Sequence, residues 1–203
     1  PFYNLIKRIF DLTVSILSII IITPVCILVS IAIKLNDRGP IFFKQTRIGL
    51  NGRPFQIIKF RSMKIDSKKY AHCPEDSDDP RVTRVGKWIR KLSIDEIPQL
   101  INVLKGEMSL VGPRPLLIEY LEIYDQNQRK RHDVLPGITG HAQVSGRNSI
   151  SWEEKFELDI EYVENYSVFF DIKILLKTIL NVVRSQDIDH DESKTMPAFE
   201  KKD

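Results

Sequence analysis

The sequence predicts an α+β, mainly helical protein, and three observations lead to that fold class. Residues 12–33 carry no charged side chain, which is typical of a membrane helix. Two β-rich runs flank Asn51-Gly52, a dipeptide that favours tight hairpin turns. Later segments repeat apolar residues at helical spacing. We therefore expect, in chain order, a re-entrant helix-break-helix membrane segment, a small β-hairpin, and amphipathic helices seated at the membrane interface.

The apolar run is long enough to cross a bilayer, since a helix rising about 1.5 Å per residue spans roughly 33 Å over it. Pro24, which follows Thr23, lacks a backbone N–H and should kink the helix near its middle. Basic residues flank both ends, namely Lys7, Arg8, Lys34 and Arg38, so the positive-inside rule gives no orientation for a simple span. These features favour a re-entrant segment that enters and leaves by the cytoplasmic face. A conventional single span is the alternative.

Composition divides the chain into a membrane segment at 1–36, a central domain at 37–185 and a polar tail at 186–203. The formal net charge is only +3, which does not indicate nucleic-acid binding and suits a surface that faces anionic headgroups or phosphates. Cys26 lies in the apolar run and Cys73 in a polar stretch, so we expect no disulfide and a reducing compartment. The sequence has no Cys/His spacing typical of a zinc site and no glycine-rich loop of the Walker or Rossmann type, so zinc, ATP-dependent and nicotinamide-dependent chemistry have no support from motifs.

Periodicity predicts the remaining elements of the central domain. Strands are expected at 41–47 and 55–60, a mobile polar loop at 67–80, helices at 116–131, 152–166 and 168–184, and a glycine-rich loop at 136–147. The last helix is amphipathic. An apolar face of this kind is more often core, but beside a membrane segment it is expected to seat at the interface.

Asp95 and Glu96 are the first candidates for chemistry. They precede Pro98, and proline is tolerated in a first helical turn, so the pair is expected at a helix N-terminus. The helix dipole favours negative charge there, so at least one carboxylate should be ionised and available to a metal or a phosphorus atom. Ser93 and Glu96 also fit a capping box, and for this segment in isolation that structural role is favoured.

Basic residues are candidates for phosphate binding, although each one alone is more often a surface salt-bridge partner. The arginines considered are Arg61, Arg90, Arg114 and Arg147. Arg114 is the exception, because Gly112, Pro113 and Pro115 restrict the backbone around it and a guanidinium can bind phosphate oxygens at two points. Arg147 follows Gly146 and has the next best claim.

Several motifs, taken in order, resemble those of one family. They are KFRSM at 59–63, SIDEIPQL at 93–100, NVLKGEMS at 102–109, VGPRP at 111–115 and PGITG at 136–140. On these residues the chain resembles the bacterial sugar transferases, the monotopic phosphoglycosyl transferases, up to about Arg184, and it is similar to their small, minimal form. Two departures are Thr23-Pro24, where Ser-Pro is common, and His141, where a larger apolar residue, often Trp, is expected.

The resemblance implies transfer of a sugar-1-phosphate from a UDP-sugar to a polyprenyl phosphate, expected to be undecaprenyl phosphate, with release of UMP. This would be the first membrane step of glycoconjugate assembly. It also implies contact with membrane lipid at the bacterial inner membrane, a catalytic domain at 37–185 that faces the cytoplasm, and a break of the re-entrant helix at Thr23 and Pro24. No nucleic-acid partner is implied, and the sequence indicates neither the sugar nor an oligomeric state.

The resemblance also suggests roles for the candidate residues. Phosphoryl transfer needs positioning and charge neutralisation more than acid-base power. We expect Asp95 to attack the β-phosphate and form a covalent phospho-sugar aspartyl ester. Mg²⁺ bound by Asp95 and Glu96 would offset repulsion between the anions. Glu96 acts either as a metal ligand or as the base that deprotonates the polyprenyl phosphate, and both roles stay open. The phosphate-binding residues are expected to be Lys59, Arg61, Arg90, Arg114 and Arg147.

Two other functions are compatible with these residues. A glycosyl transferase that moves the sugar without its phosphate would release UDP instead of UMP. A non-catalytic membrane adaptor would use the acidic pair only as a helix cap, and it would tolerate replacement of Asp95 by Asn.

Overall fold

The computed structural model describes residues 2–65, 79–146, 150–183 and 199. Its helices are α1 (Phe2–Asp37), α2 (Arg84–Lys91), α3 (Gln99–Lys105), α4 (Gln126–Arg129), α5 (His141–Ser145), α6 (Trp152–Asn165) and α7 (Val168–Val183). The strands form an antiparallel pair, β1 (Phe42–Ile48) with β2 (Pro54–Phe60), and a parallel pair, β3 (Ser109–Val111) with β4 (Gly137–Thr139). The mainly helical α+β class is confirmed.

Helix α1 contains the apolar run and is helical without interruption, with Pro24 inside it. The Thr23 hydroxyl donates a hydrogen bond of 2.6 Å to the carbonyl oxygen of Ile19, one turn earlier. By length and composition the segment Asn4–Asp37 could cross a membrane, and most of its apolar window is not buried against the protein. Since the structure does not interrupt the helix at Thr23 and Pro24, the re-entrant break stays a prediction.

The N-terminal end of α1 is held on the globular domain by polar contacts. Lys7 Nζ lies 2.6 Å from the carboxylate of Asp171 on α7. The buried carboxylate of Asp11 accepts a hydrogen bond of 2.8 Å from the Ser109 hydroxyl at the start of β3. Arg8 donates to two carbonyl oxygens at the C-terminal end of α3, where the helix dipole favours a cation.

The C-terminal end of α1 is held on the same domain. Ile33 is buried with Phe60 of β2 and Ile89 of α2. At the last residue of the helix, the Asp37 carboxylate accepts hydrogen bonds from both terminal nitrogens of Arg61, which follows β2. Both ends of α1 therefore contact one folded domain.

The predicted hairpin is confirmed, and β1 and β2 pair along their full lengths. Its turn contains Asn51 with φ of 54° and Gly52 with φ of 74°, the left-handed conformations that an Asn-Gly turn supplies. Because side chains alternate along a strand, one face of β2 buries Phe55 and Ile57, which pack with Val103 of α3. The hairpin is thereby fixed beside the segment that carries the acidic pair.

The predicted glycine-rich loop at 136–147 contains more structure than the sequence indicated, since β4 pairs with β3 and α5 follows it. The Gly112 N–H donates a hydrogen bond of 2.9 Å to the Thr139 carbonyl. A Cβ atom on Gly137 would lie 2.1 Å from the Gly112 nitrogen, so glycine is needed for this close backbone approach. The pairing fixes the chain just before it reaches Arg114.

The single helix predicted at 116–131 is wrong, because the chain divides into short turns there. Asp125 begins α4 with a capping box, accepting from the Gln128 N–H while the Gln128 side chain accepts from the Asp125 N–H. A 3-10 turn at Lys130–His132 then directs Arg131 into the core, where it is only 1% exposed. A buried partner on α6 stabilises this break in the pattern.

The helices predicted at 152–166 and 168–184 are confirmed as α6 and α7. Ser151 caps α6 by accepting a hydrogen bond of 3.1 Å from the Glu154 N–H. Helix α7 exposes a series of large apolar side chains, namely Phe169, Ile172, Leu176, Ile179 and Leu180. Their seating at a membrane interface stays a prediction.

Phe199, in the segment predicted as a polar tail, packs into the domain. Its ring contacts those of Tyr120, Tyr124, Trp152 and Phe156. The other residues from 186 onward lie outside the described residues, as do Cys73 and most of the predicted loop at 67–80.

Candidate active site

The acidic pair lies in a 3-10 turn, Ile94–Glu96, that precedes α3. Ser93 has a φ of 54°, in the left-handed region, and its side chain makes no capping hydrogen bond, so the predicted capping box is not formed. Helix α3 begins only after Pro98 and is short. The two carboxylates therefore precede the helix instead of occupying its first turn.

Glu96 is bound by two cations from different parts of the chain. Its Oε1 atom lies 2.6 Å from Lys59 Nζ of β2 and 2.6 Å from Arg114 Nη2. Burial alone would raise the pKa of this carboxyl, but the charges and hydrogen bonds of Arg114 and Lys59 outweigh it and hold the pKa well below its usual range. Glu96 is therefore a permanent anion at neutral pH.

Asp95 has the opposite environment although it is the adjacent residue. Its carboxylate makes no hydrogen bond or ion pair with any other residue in the described part of the chain. Burial first, and then the charge of Glu96, raise the pKa of Asp95 above its usual value, against the opposing effect of Lys59, Arg90 and Arg114. An uncommitted carboxylate with a raised pKa, surrounded by cations, has oxygens available to a substrate or a metal ion.

Arg114 meets the acidic pair from the loop that follows β3. Its side chain is 43% exposed, so part of the guanidinium is accessible from solvent while Nη2 contacts Glu96. The charge of Glu96 raises the pKa of Arg114, although burial opposes the shift. The flanking prolines restrict the backbone, and the Arg114 carbonyl oxygen also accepts a hydrogen bond of 2.9 Å from Arg131 Nη2.

Arg131 and Asp159 form a buried ion pair behind this loop, which the sequence did not predict. Arg131 Nη2 lies 2.5 Å from Asp159 Oδ2 on α6, and both side chains are at most 2% exposed. Arg131 Nη1 also donates to the Tyr124 hydroxyl at 3.3 Å. One guanidinium thus joins α6 to the backbone of Arg114. The sequence contained one indication of this pair, because Asp159 stands next to Ile160 among the apolar positions of α6.

The other predicted phosphate-binding residues have different positions. Arg90 is exposed on α2, and its charge lowers the pKa of Asp95. Arg61 was predicted to bind phosphate, but its guanidinium donates to the Asp37 carboxylate and, at 2.6 Å, to the Pro40 carbonyl. It therefore connects α1 to the hairpin. Arg147 lies outside the described residues. The structure therefore brings Lys59, Arg114 and Arg90 to the acidic pair.

His141, the departure noted in the sequence, lies in the packing of α5 on α6 and α7. Its Nε2 atom is 3.3 Å from the Glu161 carboxylate, and its ring meets the Phe170 ring edge-on with centroids 5.0 Å apart. The His141 ring therefore fills space between helices, as a larger apolar side chain would. His141 makes no contact with the acidic pair among the described residues.

The acidic pair is compatible with a magnesium ion. Among the described residues there is no group of three or more His, Cys, Asp or Glu side chains that could hold a metal. Mg²⁺ in phosphoryl-transfer sites needs only one or two carboxylates, because substrate phosphates and water complete its octahedron. Asp95 fits that requirement, since its oxygens are uncommitted in the described part, whereas Glu96 Oε1 already accepts from two cations. The residues fit an ion that arrives with a diphosphate.

Two adjacent carboxylates among cations, beside an apolar helix of membrane length, are compatible with a membrane-associated protein that acts on phosphorylated substrates. Comparison with known families agrees with this class. The family described as bacterial sugar transferase matches residues 2–185. The chain therefore belongs to the bacterial sugar transferase family, which confirms the resemblance found in its motifs.

Known relatives include both short and long proteins. The chain is 50% identical over 196 residues to an uncharacterized sugar transferase, EpsL, of Bacillus subtilis, with 96% of both chains covered. It is 47% identical to an undecaprenyl-phosphate glucose phosphotransferase of Komagataeibacter xylinus, covering 89% of this chain and 36% of that protein. It is 43% identical to the UDP-glucose:undecaprenyl-phosphate glucose-1-phosphate transferase of Escherichia coli, covering 87% of this chain and 40% of that protein. The chain thus spans less than half of the last two relatives.

Proposed function

We propose that this protein transfers a sugar-1-phosphate from a UDP-sugar to a polyprenyl phosphate, such as undecaprenyl phosphate, and releases UMP. The observation that carries the proposal is the asymmetry of the acidic pair. Glu96 is bound by Lys59 and Arg114, whereas Asp95 stays uncommitted among the described residues. The names of the Komagataeibacter and Escherichia relatives support the same donor and acceptor classes.

The proposed first step uses Asp95 as the nucleophile. One carboxylate oxygen of Asp95 attacks the β-phosphorus of the UDP-sugar, the bond from that phosphorus to the bridging oxygen breaks, and UMP leaves with the electron pair. Lys59 and Arg114, whose charges act on Asp95 as well as on Glu96, would stabilise the charge on the phosphate oxygens. Both have N–H donors left, since lysine carries three and arginine five and Glu96 uses only some of them.

The second step returns Asp95 to its starting state. A phosphate oxygen of the polyprenyl phosphate attacks the same phosphorus, the aspartyl–phosphorus bond breaks, and Asp95 leaves as a carboxylate. The low pKa of Glu96 makes it a weak base, because proton uptake would cost its interactions with Arg114 and Lys59. We therefore assign Glu96 to orienting these two cations. When bound, Mg²⁺ would supply further neutralisation of the diphosphate, with Asp95 and Glu96 as its candidate ligands.

The contacts of α1 support a same-side topology for this reaction at the bacterial inner membrane. A straight helix rising about 1.5 Å per residue would put Asp11 and Asp37 roughly 39 Å apart, more than a hydrocarbon core of about 30 Å. A membrane span would place them on opposite faces, yet Asp11 bonds Ser109 and Asp37 bonds Arg61 of one domain. We propose that both ends stay on the cytoplasmic side, where the nucleotide sugar is available.

The decisive experiment identifies the nucleotide product. The full chain in detergent micelles, given a UDP-sugar, Mg²⁺ and a polyprenyl phosphate, should release UMP; release of UDP would instead indicate glycosyl transfer. Without the acceptor, intact-protein mass spectrometry should show an adduct of one phospho-sugar. Asp95→Asn should abolish both signals, whereas Asp133→Asn, at an exposed aspartate outside the acidic pair, should retain them. Full turnover by Asp95→Asn would exclude the covalent mechanism.

A further inference from the structure

Arg47 is a partly buried cation that has an unsatisfied hydrogen-bond donor. Its Nη2 atom donates a hydrogen bond of 2.6 Å to Gln45 Oε1, a neutral acceptor. Its Nε atom is buried and has no hydrogen-bond partner. Among the described residues, no carboxylate forms an ion pair with Arg47 within 4.0 Å. A buried N–H donor without a partner is costly, and an anionic oxygen is a strong acceptor for a guanidinium.

The strand register places Arg47 on the face of the hairpin that also carries Lys59. Residues directly opposite each other in an antiparallel pair share a face, and Arg47 is opposite Phe55 while Lys59 is opposite Phe43. Gln45 lies between these two pairs on the same face. Because the Arg47 guanidinium bonds Gln45, it lies along the strand on the face that also carries Lys59.

A second contact brings Arg47 to the Arg114 loop. Arg47 forms an isolated antiparallel bridge with Leu117, and the neighbouring Ile48 N–H donates to the Leu116 carbonyl at 3.1 Å. Burial, and after it the like charge of Arg114, lower the pKa of Arg47, although Glu119, Tyr120 and Glu96 oppose the shift. Arg47 therefore shares its electrostatic environment with the basic side of the candidate active site.

We propose that Arg47, oriented by Gln45, is an additional phosphate-binding residue of the active site and donates from Nε and its free N–H groups to an anionic oxygen of a substrate. The ligand class is a phosphate ester, supplied either by the nucleotide diphosphate or by the lipid phosphate. This inference rests on the proposed function, because it adds a third cation to the site of Lys59 and Arg114.

The test uses two variants of the full chain in lipid nanodiscs. Arg47→Gln removes the charge, and Gln45→Glu keeps the arginine but gives it a permanent counter-ion that competes with phosphate. Lys44→Gln is the matched control, because Lys44 is exposed on the opposite face of the same strand. Thermal unfolding checks that every variant is folded before binding is measured.

Two binding measurements distinguish the sources of the phosphate. UDP binding, followed by calorimetry without acceptor, should weaken roughly tenfold or more in both site variants if Arg47 binds the nucleotide. If Arg47 binds the lipid phosphate, the affinity for undecaprenyl phosphate should instead weaken by a similar factor in both site variants. Either result supports the proposal. Dissociation constants equal to those of Lys44→Gln for both ligands would overturn it.

Kinetics separate this inference from the proposed function. Suppose that the unmodified protein releases UMP and that Arg47→Gln has the same kcat and the same KM for each substrate as the control Lys44→Gln. In that case only the role of Arg47 is refuted. If the unmodified protein binds UDP through Arg47 but never releases UMP, the binding residue stands and the proposed reaction fails.

Discussion

Replacing Asp159 by Asn should strongly destabilise the protein, because it leaves the charge of Arg131 buried without an anion. Both side chains are at most 2% exposed, and their 2.5 Å contact joins α6 to the turn at Lys130–His132. Breaking a buried ion pair by removing one partner costs about 3–5 kcal/mol, a large part of the roughly 5–15 kcal/mol that stabilises a typical domain. For a chain of this size that loss lowers the melting temperature by about 6–20 °C.

The measurement is thermal unfolding of the full chain in detergent micelles. Glu164→Gln is a matched control, since Glu164 is on the same helix and pairs with Lys130 at 3.4 Å in an exposed position. An exposed pair contributes about 0–1 kcal/mol, so this control should stay within about 4 °C of the unmodified protein. Equal melting temperatures for Asp159→Asn and Glu164→Gln would refute the reasoning about buried charge.

A double variant distinguishes stability from positioning. Arg131→Met with Asp159→Leu removes both charges, so much of the lost stability should return. The Arg114 carbonyl would still lack its donor, and UMP release per folded molecule should stay below that of the unmodified protein. Recovery of both melting temperature and UMP release would show that Arg131 does not position Arg114.

Three further predictions concern the acidic pair and α1. Asp95→Asn should abolish the phospho-sugar adduct yet raise the melting temperature at pH 7. Folding raises the pKa of the Asp95 carboxyl, so the stability of the folded protein falls as the pH rises above the ordinary value of 3.8, and the neutral Asn side chain avoids that loss. The gain in melting temperature, measured by unfolding scans, should shrink as the pH falls toward 3.8. Arg114→Lys keeps the charge but loses the two-point contact with Glu96, so kcat/KM for UMP release should fall about ten- to hundredfold, and an unchanged value in folded protein would remove Arg114 from the site. Accessibility tags at residues 1 and 203 should both report the cytoplasm, and labelling on opposite sides would establish a span.

Local patterns predicted the elements that local interactions determine. The hairpin follows from Asn51 and Gly52, whose backbone angles close the turn, and α6 begins where Ser151 caps it. The segment 116–131 has helical periodicity, but its conformation depends on Arg131 reaching Asp159, a contact 28 positions along the chain. A sequence pattern does not contain that partner, so the prediction of one helix was wrong.

The candidate site was predictable to the extent that its motifs are local. Asp95, Glu96 and Arg114 lie in two stiff segments and could be chosen from the sequence. Arg61 was a candidate from the sequence and Arg47 was not, yet in the structure Arg61 is bound by Asp37 while Arg47 has an unused donor. Which arginine is neutralised depends on where α1 ends relative to the hairpin, and that is a property of the tertiary fold.

The 3-10 turn explains how two neighbouring carboxylates acquire different properties. Successive residues of a 3-10 helix are rotated by about 120°, so adjacent side chains point in different directions. Glu96 is directed between Lys59 and Arg114, which hold its pKa low, while Asp95 makes no such contact in the described structure and has a raised pKa. In the proposed mechanism the cations are already oriented by Glu96, so they would act on a phosphate at Asp95 without pairing with the proposed nucleophile itself. One carboxylate thus organises the positive charge and the adjacent one stays available for chemistry.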